Sequence, residues 1–576
     1  MIDKSKKVTA GSRCGWLRWF FRCLAAGLAL AQIVVGRNTF GPDPRSYMEL
    51  ARAILRHDWA MATNAYWSAL YPWLLAADLG IVKPSLRWEF PAAHALSFPM
   101  YLAAIAAFEF FWVSLLRRRE MNPPISRKSV PLAPPQMWIL GYSLFIWSTI
   151  GDLVLLINPD LLVTASALLA AGLLLRMEVA GGARKALYVW FGVCLGFGYL
   201  AKAILFPMAF VFLAMMIAIS KSSLRRNSRW LALAMLIFVA IASPEIVLLS
   251  HAKGRITFSD TAKLNLAWFN YQLPYRNWQG QPPGTGTPVH PTRKLFDHPA
   301  VYEFNGPLRS SYPPWFDPSY WNEGLSPKFR VGIVTRHALH ELVRLGGMLL
   351  HPTAWLAGML LIFLGSDFKE TLKGIAVYRH LILIACTALA LFCLTVVQGR
   401  FLAPWELMIW GSILAGVRLR PSPAPVYRWV AAAVSLALVA AVGYMVYGES
   451  IHGFHNDASA EYAIAEGLLK MGLQPGEKVG AIGFDMDAHW VYLARLSIVA
   501  EIGTDETCLF WSEPAATQAQ VLEKFGQAGA SVVVANTGGG IRTTSRPDPL
   551  DLAGCSRPGA GWRKIEGSPD QAFFLK

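Results

Sequence analysis

What most constrains this chain is a series of apolar runs, near 17–36, 91–116, 137–157, 161–176, 187–201, 204–220, 230–250, 344–365, 380–397, 401–417 and 428–447. Crossing the ~30 Å hydrocarbon layer of a bilayer takes ~20 predominantly apolar residues, so each run is read as one spanning helix. The expected fold class is a polytopic α-helical membrane protein of about 11 transmembrane helices. Composition agrees, because 54% of the 576 residues are hydrophobic and only 16% charged, with 22 Trp and 31 Phe. That is too apolar and aromatic for an ordinary soluble chain.

Charge placement orients the spans, since Lys and Arg concentrate in short cytoplasmic loops. The clusters are Lys4, Lys6, Lys7, Arg13, Arg18 and Arg22; Arg117–Arg119; Arg176, Arg184 and Lys185; Lys221, Arg225, Arg226 and Arg229; Lys369, Lys373 and Arg379; and Arg418, Arg420 and Arg428. Alternating spans place all of them on one side, with the N-terminus inside and the C-terminal part outside. The net charge of +16 is then a topology signal and not a nucleic-acid footprint. The first run ends in Val-Val-Gly-Arg without a small-x-small cleavage site, so it is read as a retained anchor. The expected location is a bacterial cytoplasmic membrane, crossed many times.

Three large segments then face outward: 37–90, 251–343 and 448–576. Residues 1–450 are read as the transmembrane domain carrying the loops 37–90 and 251–343, and 451–576 as a small extracytoplasmic α/β domain. Its strands are expected at 476–484, 496–502 and 530–537, alternating with helices near 458–471, 487–495 and 515–528. In the first loop, 44–57 reads as an interfacial amphipathic helix, with Tyr47, Leu50, Ala51, Ile54 and Leu55 on one face and Glu49, Arg52 and Arg56 on the other. The aromatic stretch "NAYWSALYPWLLA" at 64–76, which contains Tyr71, is expected on the membrane surface too. The middle loop, with "HPTRKLFDHPAVYEF" and "SYPPWFDPSYWNEG", offers His290, Trp315, Asp317, Tyr320 and Trp321 as residues that stack on sugar rings or bond hydroxyls. Seven cysteines carry no metal-ligand spacing, and Cys508 and Cys555 both lie in the exported part, where a disulfide can persist.

An outward Asp43 just after the first span, followed by Tyr47, "ARAILRHDW" and "YWSALYPWLLA", resembles the first extracytoplasmic loop of the GT-C integral-membrane glycosyltransferases. The nearest branch is that of the protein O-mannosyltransferases and aminoarabinose lipid A transferases. Three further stretches resemble that group in the same order: "NPDLLVTASALLAAGLLLR" at 158–176, "GFGYLAKAILFPMAF" at 196–210 and "QGRFLAP" at 398–404. Together they cover roughly residues 15–420. Pro44 departs from the family pattern, since members often carry a second acid there, and Ser68-Ala69 replace a Lys-Pro or Pro pair before "LYP". A divalent cation therefore stays an open possibility, with no cofactor assigned.

The resemblance implies sugar transfer from a polyprenyl-phosphate carrier to an acceptor hydroxyl of a glycan, lipid or protein, at the outer membrane face. Asp43 and Asp160 are the implied catalytic acids, Asp43 as the base for the acceptor hydroxyl. Lys202 and Arg400, at outward ends of spans, are the implied donor-phosphate residues. Each has a plainer reading. Asp43 and Asp160 are placed to cap helices, and Lys202 and Arg400 to snorkel toward the interface. Glu109 and Asp152 are intramembrane acids with no assigned role. The competing function is a transporter or flippase of lipid-linked sugars, which predicts polar residues spread through several spans and internal repeats; few such charges and no repeat are present. A non-catalytic scaffold would leave the ordered motifs unexplained.

Overall fold

The computed structural model describes residues 15–121, 129–180, 184–219, 224–350, 352–420, 425–452, 455–538 and 552–575. The basic residues Lys4, Lys6, Lys7, Arg13 and Lys221 lie outside these, as do the side chains of Asp152, Arg225 and Arg226.

Every apolar run carries helix. Among the described residues five helices are long and apolar enough to cross a membrane, such as α1 (Gly15–Gly36), or up to seven if two bent pairs each count as one span. The other runs form shorter helices, including Lys185–Ala201 and Leu205–Ile219. The bundle is a polytopic helical membrane domain. One expected span, 344–365, divides into Val331–Leu350 and Thr353–Leu364 at 78° to each other. Pro352 accounts for the break, because it lacks an N–H and its ring disfavours helix in the residue before it.

Helix α1 shows how these helices associate. Leu17, Phe21, Ala25, Ala29 and Ile33, four residues apart, are buried against neighbours. Such a row forms one ridge for packing into a groove. Trp16, Trp19, Leu30 and Val34 on the other faces are exposed. The bundle centre is two helices, Ser97–Glu120 and Asp160–Val179, pressed together where Gly172 meets Phe110. A methyl group on Gly172 would stand 2.5 Å from the Phe110 ring, so only glycine permits that approach.

The outward segments depart from expectation in one important way. The first loop forms α2 (Pro42–Leu55), which is not an interfacial helix: Arg45, Ser46 and Glu49 are buried along with its apolar residues. Polar side chains survive burial when they are bonded, and these are. Arg45 Nη1 donates to the Ala488 carbonyl at 2.8 Å, Ser311 N–H donates to Glu49 at 2.8 Å, and Arg52 pairs with Glu89. Glu89 also takes Arg495 and, at 3.0 Å, the Tyr492 hydroxyl. Protein therefore surrounds α2 where lipid was expected. The 64–76 stretch is likewise tied down, with Asn64 and Trp67 both donating to the Phe316 carbonyl and Tyr71 fully buried, while Trp73 stays half exposed.

The sheet has seven strands: β1 (Arg293–Phe296), β2 (Val301–Glu303), β3 (Lys478–Ile482), β4 (Ser497–Ile502), β5 (Val532–Ala535), β6 (Trp562–Lys564) and β7 (Gln571–Phe574). Their order is β1-β2-β4-β3-β5-β7-β6, with β3 parallel to both β4 and β5 and the remaining pairs antiparallel. The three strands expected from alternation are β3, β4 and β5. Two more come from the middle loop, so the sheet crosses the boundary expected at residue 450. Helices His455–Lys470 and Ala515–Gln527 fall where expected, and only a single turn, Trp490–Leu493, forms in the third position. Cys508 and Cys555 are joined by a disulfide.

Candidate functional site

The site begins at the entrance to α2. Gly41 is its N-cap, and Pro42 and Pro44 occupy its first turn. Prolines there have no N–H to leave unsatisfied. Asp43 makes no capping bond, so its carboxylate turns away from its own helix. One oxygen accepts from Trp315 Nε1 at 3.2 Å, and the other from Arg400 Nη2 at 3.1 Å.

Asp160 opens the Asp160–Val179 helix, but the helix entrance is fastened by Asn158, whose side chain accepts from the Asp160 N–H at 2.8 Å. The Asp160 carboxylate, 2% exposed, is thereby released to meet two cations: Lys202 Nζ at 2.5 Å and Arg400 Nε at 3.7 Å. Lys202 is the residue that ends Lys185–Ala201, in extended backbone, and its ammonium lies 3.9 Å from the centre of the Phe401 ring. Arg400 sits in the short turn Gly399–Phe401 and is also held by Gln398 at 2.8 Å. Neither cation snorkels outward. The result is a chain of alternating charge, Asp43, Arg400, Asp160, Lys202, drawn from four distant parts of the sequence.

Electrostatics follow from that order. Burial works against the Arg400 charge, but Asp160 and Asp43 outweigh it and hold the guanidinium pKa above its usual value. Tyr47, buried and facing both acids, has its phenol pushed well above the ordinary range by burial first and then by Asp43 and Asp160. It remains a neutral hydroxyl at any physiological pH.

These groups line a cavity of about 550 Å³. Tyr47, Tyr66, Ser68 and Asn265 add further polar lining, and Phe258, Phe329, Leu391 and Phe392 supply apolar lining. Such a mixture of few polar groups on an apolar surface is typical of ligand sites. Sequence reasoning missed Tyr66, Ser68, Lys263 and Asn265. Tyr66 and Ser68 belong to the aromatic stretch 64–76 and Lys263 and Asn265 to the middle loop 251–343, where the one signal was a polar residue within an aromatic run.

The other predicted substrate residues do not gather here. Trp315 reaches the site through its bond to Asp43. His290, Asp317 and Tyr320 line a second cavity of about 750 Å³ with Arg56, Lys253 and Glu323. There His290 stacks on Tyr320 with 4.0 Å between ring centres, and Asp317 caps the turn Pro318–Trp321. Tyr71 and Trp321 are core residues, Tyr71 against Tyr47 and Trp321 bonded to the Pro313 carbonyl. Asp43 and Asp160 are each engaged by Arg400, and no group of three His, Cys, Asp or Glu side chains able to hold a metal occurs among the described residues.

Three solved structures resemble this one. The oligosaccharyltransferase of Archaeoglobus fulgidus, tethered to an acceptor peptide, is 11% identical over 90% of this chain and 70% of its own, with a TM-score of 0.46. ArnT from Cupriavidus metallidurans is 14% identical over 91% of this chain and 93% of its own, with a TM-score of 0.41. The archaeal oligosaccharyltransferase AglB, bound to an inhibitory peptide and a dolichol-phosphate, is 13% identical over 91% and 70%, with a TM-score of 0.43. No protein-family model and no curated protein matches the chain. At such identities and scores the likenesses assign it neither an activity nor a site.

Proposed function

We propose that this protein is a GT-C glycosyltransferase that moves a sugar from a polyprenyl-phosphate carrier to an acceptor hydroxyl. It works at the extracytoplasmic face of a bacterial cytoplasmic membrane, with its N-terminus inside and its α/β domain outside. The observation that carries this reading is Arg400, bonded to Asp43 and close to Asp160, at a cavity lined by both charged and apolar side chains.

In the proposed step the acceptor oxygen attacks the anomeric carbon of the donor. The bond from that carbon to the phosphate oxygen breaks, and its electron pair leaves on the phosphate. Arg400 and Lys202 face that growing charge, and cations fixed in place before the reaction stabilise the transition state more than the ground state. The hydroxyl proton passes to Asp43, which Trp315 holds by one oxygen. Asp160, almost fully buried, keeps the two cations from repelling one another. The apolar lining takes the first units of the lipid tail. Acceptor classes consistent with this chemistry are a glycan, a lipid or a protein hydroxyl.

The test is release of polyprenyl phosphate from polyprenyl-phosphate sugars by the purified protein in lipid. Asp43→Asn should lower turnover by roughly 10²–10⁴, the usual contribution of a positioned base. Full turnover in that variant removes Asp43 as the base. Passage of the intact lipid-linked sugar across the bilayer, with no phosphate release, would mean a transporter instead.

A further inference from the structure

At the far end of the bundle from this site lies an open groove of about 340 Å³. The helix Asp160–Val179 joins the two: Asp160 opens it and Arg176 stands in its last turn. At ~1.5 Å per residue that is roughly 24 Å along the axis.

Three guanidinium groups and one carboxylate line the groove. Arg18 and Arg22, one turn apart on α1, both donate to Glu109, Arg18 Nη2 to Oε2 at 2.5 Å and Arg22 Nε to Oε1 at 2.7 Å. The Tyr142 hydroxyl donates to the same carboxylate. Arg176 comes from the other side, with Nε on the Ser114 hydroxyl at 3.1 Å and its guanidinium 4.1 Å from the centre of the Phe110 ring. Glu109 is nearly buried, while Arg18 and Arg22 keep 30% and 31% of their side-chain surface open. One carboxylate cannot neutralise three arginines, so the groove holds two positive charges in excess. Arg18 Nε is buried without an acceptor.

Two features fix the depth and the character of what would fill it. Trp16, Trp19 and Phe20, beside Arg18 on α1, are more than half exposed, and such rings settle at the headgroup layer. Leu102, Ala106 and Val113 add apolar lining, and Leu102 and Ala106, one turn apart, are exposed. Arginines that served only to mark topology would extend into water. Here two of them turn inward onto Glu109, which locks their forks with donors to spare. Planar forks of this kind match phosphate oxygens.

We propose that this groove binds the phosphate of an anionic phospholipid in the leaflet where α1 begins, with an acyl chain along Leu102 and Ala106. The proposal uses no residue of the transfer site and does not depend on its assignment.

Native mass spectrometry of the full-length protein, released from micelles carrying phosphatidylglycerol or phosphatidylcholine, tests it. The wild type should retain one phosphatidylglycerol with roughly tenfold preference, the scale of one charge-assisted contact. The Arg18→Gln/Arg176→Gln protein keeps the Arg22–Glu109 pair and should lose the preference, while Arg18→Lys/Arg176→Lys should keep part of it. Millimolar inorganic phosphate should leave the lipid bound. Equal retention of the two lipids by the wild type overturns the site without recourse to any variant. A preference that survives Arg18→Gln/Arg176→Gln overturns the residue assignment, and displacement by inorganic phosphate overturns a lipid as the ligand.

Discussion

At the residue scale, the role of Arg400 depends on its shape. Its Nη2 serves Asp43 while its Nε serves Gln398 and faces Asp160. A lysine has the charge but is a single point on a flexible stem and cannot serve all three. Arg400→Lys should therefore cut kcat by roughly 10–100-fold, on the scale of one lost charge-assisted bond in the transition state. Steady-state release of polyprenyl phosphate measures this, and unchanged kcat and KM would remove Arg400 from the site. The positions of Asp43, Asp160, Lys202 and Arg400 were legible in the sequence because the first follows shortly after an apolar run and each of the others borders one. Their bonds were not. Asp43 reads as a cap, and it is the two prolines beside it, with no N–H of their own to satisfy, that free it. Trp315 reads as a stacking surface, whereas its N–H orients the acid, a contact between residues 272 positions apart.

At the element scale, α2 joins the bundle to the seven-stranded sheet, and Arg45 is its fastening. Fully buried, Arg45 donates to the Ala488 carbonyl and stacks 5.1 Å from the centre of the Tyr312 ring. Arg45→Met keeps much of the volume and leaves that carbonyl without its donor, so a loss of about 1–3 kcal/mol is expected in thermal unfolding. Because Asp43 is two residues away, turnover should fall as well; a stable, fully active variant would mean that α2 is held by other contacts. The end of β4 makes a second join, where Glu501 accepts from Arg276 at 2.8 Å and from the Tyr312 hydroxyl. Burial pushes the Glu501 carboxyl up to about 6, against the opposing pull of Arg276. The folded form thus holds this proton more tightly than the unfolded chain. Its favourable contribution is complete below the ordinary glutamate value and is lost as pH rises through about 6. Wild type should lose about 2 kcal/mol relative to Glu501→Gln between ~pH 4.5 and ~6. Parallel melting curves check this, and Arg276 keeps Asp485 at 2.9 Å in the variant. The helices were legible here because apolar runs declare themselves locally. Strands β1 and β2 were not: they are three or four residues long in a turn-rich loop, and β2 gains its partner β4 only from residues 200 positions further on.

At the whole-molecule scale, the disulfide between Cys508 and Cys555 closes a loop that includes β5 and the helix Ala515–Gln527. For a loop of 47 residues the chain-entropy relation gives about 4 kcal/mol. Cys508→Ser/Cys555→Ser should melt the sheet region at a lower temperature and leave the bundle helices in place, followed by circular dichroism and by proteolysis of the sheet region. Equal melting with and without the bond would show that the sheet is stable by packing alone. A different consequence follows from where the four charges of the transfer site stand in the chain. Asp43 is separated from Arg400 by 357 positions. At ~5–20 residues per second of synthesis, roughly 20–70 s pass between the emergence of the two. Until Arg400 is made, Asp43 lacks the cation it bonds in the folded protein, and Asp160 has Lys202 but not its second cation. The alternating row of charges therefore closes only late in synthesis, and a chain interrupted before Arg400 carries both acids without the guanidinium that stands between them.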